Sequence, residues 1–128
     1  MANLKKILVI DDEEILTKTF AKLLERFGFE AYVAKNSQDA EAMIEEENFD
    51  LLISDIRMPG QDGVRTTQKL FEACRRQHRA PIPVIFITGY ADTELERMAM
   101  SLQPVAYLHK PFDVDKLIEL IQKKLGTA

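Results

Sequence analysis

The feature that most constrains this chain is a set of short apolar runs that each stop at a residue with chemistry to offer. "LLIS" begins at Leu51 and stops at Asp55, and "ILVI" begins at Ile7 and stops at Asp11 and Asp12. "VIFIT" begins at Val84 and ends in Thr88 and Gly89, and "VAYLH" begins at Val105 and runs into Lys110 and Pro111. Uninterrupted apolar runs of this length are the mark of strands buried on both faces. A weaker run, "EAYVA" from Glu30, fits an edge strand. The intervening segments carry a helical period. Leu16, Phe20, Leu23, Leu24 and Phe27 form one stripe, closed by Gly28 as a C-terminal cap. Ser37 is placed to cap a helix burying Ala40, Met43 and Ile44. Val64, Thr67, Phe71 and Cys74 make a third stripe with Leu70 beside it, and Leu95, Met98, Ala99 and Leu102 a fourth. Asp113 is placed to cap a last helix with Val114, Leu117, Ile118, Ile121 and Leu125 on its inner face.

Five strand–helix units in alternation predict an α/β fold, a parallel sheet with helices on both faces. Right-handed crossovers then bring the C-terminal ends of all strands to one edge, where ligands bind in open α/β sheets. Asp11, Asp12, Asp55, Thr88 and Lys110 are thereby gathered at one rim. Singly, each has a plain explanation. Acids are favoured at helix starts, a threonine bonds a turn, a lysine is solvated, and an aspartate caps a loop. Together they ask for more, because each ends a separate buried strand on the same edge.

The chain's 128 residues suit one domain with a real core, spanning 1–128. Lys and Arg number 17 against 21 Asp and Glu, a net charge of −4 that argues against a nucleic-acid binder. One cysteine, Cys74, allows no internal disulfide and fits a reducing compartment. No apolar run has membrane-spanning length and the start does not resemble a signal peptide, so a cytoplasmic location is expected. "RRQHR" from Arg75 reads as a basic helix end, favoured there by the dipole. His78 lies in that cluster, His109 points to the opposite face from Lys110, and neither is a ligand on this reading.

Clustered carboxylates repel one another unless a cation intervenes. Magnesium suits an all-oxygen site that leaves room for phosphate oxygens, whereas neither zinc spacing nor an EF-hand loop is present. A carboxylate nucleophile forms an acyl phosphate, and phosphoryl transfer demands alignment and charge neutralisation, which a cation, a lysine and a hydroxyl supply. The chemistry inferred is metal-assisted phosphorylation of an aspartate.

The combination of "VIDDEE", "ISDIRMPGQDG", "FITGYA" and "YLHKPF" resembles the response-regulator receiver domain of two-component signalling, across essentially the whole chain. The resemblance implies a flavodoxin-like (βα)5 three-layer sandwich with strand order 2-1-3-4-5. It implies that Asp55 is the phosphoacceptor and that Asp11, Asp12, Asp55 and the backbone carbonyl of Arg57 hold Mg2+, with Asp12 the more direct ligand of the first two. Thr88 and Lys110 would bind the phosphoryl group, and the Lys110–Pro111 bond would be cis. The donor would be a phosphohistidine on a histidine kinase or a His-phosphotransfer protein. Thr88 and Tyr107 would act as switch residues, reshaping the face of the fourth helix, fifth strand and fifth helix for an output partner or effector domain. Met100 and Leu120, off their helices' inner stripes, would belong to a partner surface. No direct nucleic-acid or membrane contact is implied, and with the sequence ending at Ala128 no effector domain is expected. The only catalysis expected is the domain's own phosphorylation and dephosphorylation.

Several positions depart from the family pattern. Gly89 stands where Ala is usual, and Gln103 and Pro104 where Gly-Ala is common. Arg57 and Tyr90 occupy variable positions beside the site, and their bulk implies slower hydrolysis of the acyl phosphate. Two other readings stay open: a magnesium-dependent phosphatase with an aspartyl-phosphate intermediate, and a receiver-like binding module that no longer uses phosphate. Against the first, Arg57 stands where such a phosphatase has a second Asp, and no substrate-covering domain is available.

Overall fold

In the computed structural model, which describes residues 4–58, 61–89 and 91–126, the apolar runs become β1 (Lys6–Ile10), β2 (Glu30–Ala34), β3 (Leu51–Asp55), β4 (Val84–Thr88) and β5 (Ala106–His109). They pair in parallel in the order 2-1-3-4-5. Five helices connect or follow them: α1 (Glu14–Arg26), α2 (Ser37–Glu46), α3 (Gly63–Arg76), α4 (Thr93–Met100) and α5 (Val114–Leu125). The weak run at Glu30 is indeed an edge strand, as is β5.

Alternation along the central strands sorts their side chains into two cores. Leu8, Ile10, Leu52, Val84 and Phe86 pack with Ala40 and Ile44 of α2, with Val64, Leu70, Ala73 and Cys74 of α3, and with Ala99 of α4. Ile7, Val9, Leu51, Ile53, Ile85 and Ile87 pack with Phe20 and Leu24 of α1 and with Leu117, Ile118 and Ile121 of α5. At about 1.5–3 kcal/mol for each large aliphatic side chain fully buried, these two layers dominate the folding free energy. They also make the sheet a rigid platform for whatever its C-terminal edge carries. No helix among the described residues is long and apolar enough to cross a membrane.

Helix ends follow local chemistry. Gly28, at φ 87°, closes α1, with its amide donating to Glu25 and the Phe29 amide to Leu24. The cap of α2 is Asn36 rather than the expected Ser37: its side chain accepts from the Asp39 amide at 2.8 Å, and Ser37 is the first helical residue. Asp113 caps α5 as expected. Three stripe positions are more exposed than their period implied. Phe27 lies just past the last turn of α1, Met98 is at the margin of the short α4, and Val114, 43% exposed, lines a groove against Leu23 and Arg26 of α1. Leu120, read as partner surface, instead packs against the α1/α5 core, whereas Met100 is exposed.

The basic segment after α3 has a specific job. His78, at φ 58°, ends that helix, and Arg79 turns back onto α2. Its guanidinium donates to the carbonyls of Ile44 and Glu47 and to the side chain of Asn48. Carbonyls at a helix C-terminus lack intrahelical partners, and a cation is the favoured donor there.

Candidate functional site

Register decides which strand tips meet. Ile10 pairs with Ser54, so the next residues, Asp11 and Asp55, sit side by side at the ends of β1 and β3. Asp55 pairs with Ile87, which places Thr88 one residue further out, and Thr88 pairs with His109, which does the same for Lys110. The Lys110 amide donates to the Thr88 carbonyl at 2.7 Å, and the Lys110–Pro111 bond is cis, as the family resemblance implied. Parallel pairing thus brings residues far apart in sequence to one small area.

Asp11 is fully buried, Asp55 nearly so, and Asp12 is exposed, yet one oxygen from each lies within 4.8 Å of the others. The Lys110 ammonium stands 3.4 Å from Asp55 Oδ2, 3.6 Å from Asp11 Oδ2 and 3.4 Å from Glu13 Oε1. Asp11 Oδ1 accepts from the Glu13 amide at 3.0 Å, but its buried Oδ2 has no hydrogen bond. Burial, reinforced by the charge of Asp55, holds the Asp11 carboxyl up at about 6, against the pull of the Glu13 amide and Lys110. For Lys110, burial works to lower the pKa, but the charges of Asp11, Asp55 and Glu13 outweigh it and the group ends above its ordinary value.

These features fit a hard divalent cation. The donors are all oxygens, one of them buried and without a hydrogen bond. A magnesium ion with bonds of about 2.1 Å holds its ligand oxygens within roughly 4.2 Å of one another, close to the separation found. Arg57, two residues past Asp55, pairs with Asp62 in a two-residue antiparallel ladder that leads into α3. Its side chain, Pro59, Gly60 and Tyr90 lie outside the described residues, so the expectation about hydrolysis falls there too.

The loop after Asp55 is braced by a close approach. The Gly63 amide donates to the Ile56 carbonyl at 2.6 Å, and a β-carbon on Gly63 would lie 2.1 Å from the Asp55 carbonyl oxygen. Only glycine lets α3 begin this close to the backbone of the site. Gly89, by contrast, is not at positive φ, and an added β-carbon would meet only the Lys110 side chain at 3.9 Å. Its difference from the usual Ala is therefore sterically mild.

Thr88 is buried at the tip of β4. Tyr107 is part-buried on the α4 side of the sheet, with ring centroids 6.4 Å from Phe86 and 5.3 Å from His109. Burial, with the nearby charges of Glu96 and Asp92 on α4 and its cap, raises the Tyr107 pKa. His109 is exposed beside Tyr107, two positions along the same strand. Two participants were not picked out from the sequence. Glu13 read as a helix-start acid, although its length is what lets it reach Lys110. Gly63 carries no sequence signal of the close approach it permits.

Comparison with known proteins shows the family and the fold. The family described as "Response regulator receiver domain" matches residues 7–122. The regulatory protein AtoC of Escherichia coli is 31% identical over 125 residues, covering 98% of this chain and 26% of that protein. The polar-differentiation response regulator DivK of Brucella anthropi is 32% identical, covering 97% of this chain and 98% of its own length. A response regulator receiver domain protein (CheY-like) from Methanospirillum hungatei superposes with a TM-score of 0.85 at 31% identity, covering 96% of this chain and 94% of that one. Among other relatives of similar identity, this chain spans 54% and 57% of the transcriptional regulators CrdR and FixJ.

Proposed function

This chain belongs to the response regulator receiver family of two-component signalling, and from that premise we propose that Asp55 accepts a phosphoryl group from a phosphohistidine. The observation that carries the proposal is the placement of Lys110, 3.4 Å from Asp55 at a rim that also holds Asp11 and Asp12. A carboxylate nucleophile, a cation-binding set and an ammonium are the parts this reaction needs.

Asp11, Asp12, Asp55 and the Arg57 backbone carbonyl would hold Mg2+, which when bound neutralises charge on the transferring group. Asp55 presents its carboxylate from a strand tip whose backbone is fixed by β1 and β4. Lys110 binds a phosphoryl oxygen, and the Thr88 hydroxyl binds another. The partner is a histidine kinase or a His-phosphotransfer protein, encountered in the cytoplasm. Residues 1–128 act as a single receiver unit, signalling to an output partner or effector through the face of α4, β5 and α5. A phosphoryl group adds strong acceptors and roughly −1.5 to −2 charges, enough to draw Thr88 inward. Tyr107, packed beside α4, follows it and alters that face.

The test is incubation with magnesium and acetyl phosphate, followed by intact mass. The wild-type chain gains one phosphoryl group and Asp55→Asn gains none. An adduct of equal yield in Asp55→Asn, or none in the wild type, rejects the assignment.

A further inference from the structure

We propose that Glu13 is an intramolecular competitor for Lys110, holding the ammonium before phosphorylation and thereby restraining attack by Asp55 on small anionic phosphodonors. The proposal rests on the reading of Asp55 as phosphoacceptor and adds a residue that tunes it.

Helix capping supplies the first observation. The caps of α2, α3, α4 and α5 are Asn36, Asp62, Asp92 and Asp113, and each accepts a hydrogen bond from an amide of its first turn. Glu13 occupies the same position on α1 and makes no such bond. A side-chain cap stabilises a helix by about 1 kcal/mol, and Glu13 forgoes it. Its carboxylate extends instead to the Lys110 ammonium, 97 residues away in sequence.

The second observation is how Lys110 is shared. An ammonium has three protons to donate, and three carboxylates lie 3.4 to 3.6 Å from this one. A phosphoryl oxygen can gain a full contact only by displacing one of them. Asp55 carries the phosphoryl group itself. Asp11 is fully buried and anchored by the Glu13 amide. Glu13, with its side chain 63% exposed, is the partner that can move into water at little cost. It also stands apart from the cation-binding set, which among the described residues comprises Asp11, Asp12 and Asp55.

With acetyl phosphate, an Asp55 oxygen forms a bond to phosphorus as the bond from phosphorus to the acetyl oxygen breaks. Acetate leaves with the electron pair, and no proton is transferred. During this step Lys110 turns from Glu13 to a phosphoryl oxygen, and the Glu13 carboxylate is released to solvent. Removing Glu13 therefore removes a competitor for Lys110.

The experiment compares wild type, Glu13→Gln and Glu13→Asp for the rate of adduct formation with magnesium and acetyl phosphate. Glu13→Gln is expected to react about three- to fivefold faster, the size of one exposed ion pair expressed as a rate. Glu13→Asp keeps the charge but is one methylene shorter, so it is expected to behave like Glu13→Gln. The ammonium 15N resonance of Lys110 should move in both variants before any donor is added. If the wild type forms no adduct, the phosphoacceptor reading falls, and the 15N comparison alone then decides whether Glu13 holds Lys110. If the wild type forms the adduct and Glu13→Gln does so at the same rate, Asp55 stands and the role of Glu13 is overturned. Wild-type behaviour in Glu13→Asp also overturns it, because charge without reach would then suffice.

Discussion

Replacing Asp11 by Asn is expected to make the metal-free protein more stable at neutral pH, although it removes a residue assigned to the site. The side chain is fully buried, and its carboxyl is raised from 3.8 to about 6, chiefly by burial. That displacement corresponds to about 3 kcal/mol against the ionised form in the folded chain. The shift already includes the opposing pull of Lys110 and the Glu13 amide, and Asn retains an oxygen for that amide, so the expected gain is up to about 3 kcal/mol. The pH dependence is a sharper test than the magnitude. Because the folded-state value is the higher one, the folded chain binds more protons than the unfolded chain between about pH 4 and 6. The contribution of Asp11 is thus fully present below that window and is lost as pH rises through it. The advantage of Asp11→Asn should grow by about 1.5 kcal/mol between about pH 5 and pH 7.5. Urea denaturation in EDTA at the two pH values measures it. A variant less stable than wild type at neutral pH, or equally advantaged at both, refutes the reasoning. Adding magnesium should stabilise the wild type by mass action and Asp11→Asn far less.

Three further predictions concern the frame of the site. Gly63→Ala forces a β-carbon to within 2.1 Å of the Asp55 carbonyl oxygen; it should destabilise the fold by about 3 kcal/mol or more in urea titration, and an unchanged midpoint would contradict the contact. Arg79→Ala leaves the C-terminal carbonyls of α2 without their cation; a loss of about 1.5–3 kcal/mol is expected by the same measurement, whereas a loss near zero would leave Arg79 as no more than part of the basic end of α3. Gln103 ends α4 at φ 55°; Gln103→Gly should therefore raise stability by about 0.5–1 kcal/mol, the relief of left-handed strain less the entropy glycine adds to the unfolded chain. Destabilisation by that substitution would show that the Gln103 side chain matters more than its backbone.

The departure at Gln103 and Pro104 also shows what a family pattern conveys. A glycine is usual there because the chain leaves α4 through a left-handed residue. This protein keeps the conformation with Gln, whose amide donates to the Met100 carbonyl. Pro104 follows it and has no amide for the longer bond that Phe29 makes at the end of α1. The turn before β5 survives, at a local cost.

What was legible in the sequence shares a physical basis with what was not. Strand period and apolar length report burial, so β1, β3 and β4 and the residues at their tips followed directly. Parallel pairing then brought Asp11, Asp55, Thr88 and Lys110 together because it joins strand ends by register rather than by sequence distance. Periodicity, however, describes an element facing one neighbour. Val114 and Leu120 exchange their expected exposures because α5 lies against both the sheet and α1. Arg79 and Gly63 take their roles from what approaches them, α2 in one case and the Asp55 backbone in the other. Glu13 is the most instructive. At a helix start, an acid next to two others invites a purely local explanation, the dipole of α1. Its side chain instead makes no bond to the amides beside it and meets the Lys110 ammonium that the fold brings to the same rim. If Asp55 is the phosphoacceptor as proposed, a carboxylate that leaves a cap unmade and holds Lys110 is one that the phosphoryl group would displace, and this is why its removal should speed that reaction.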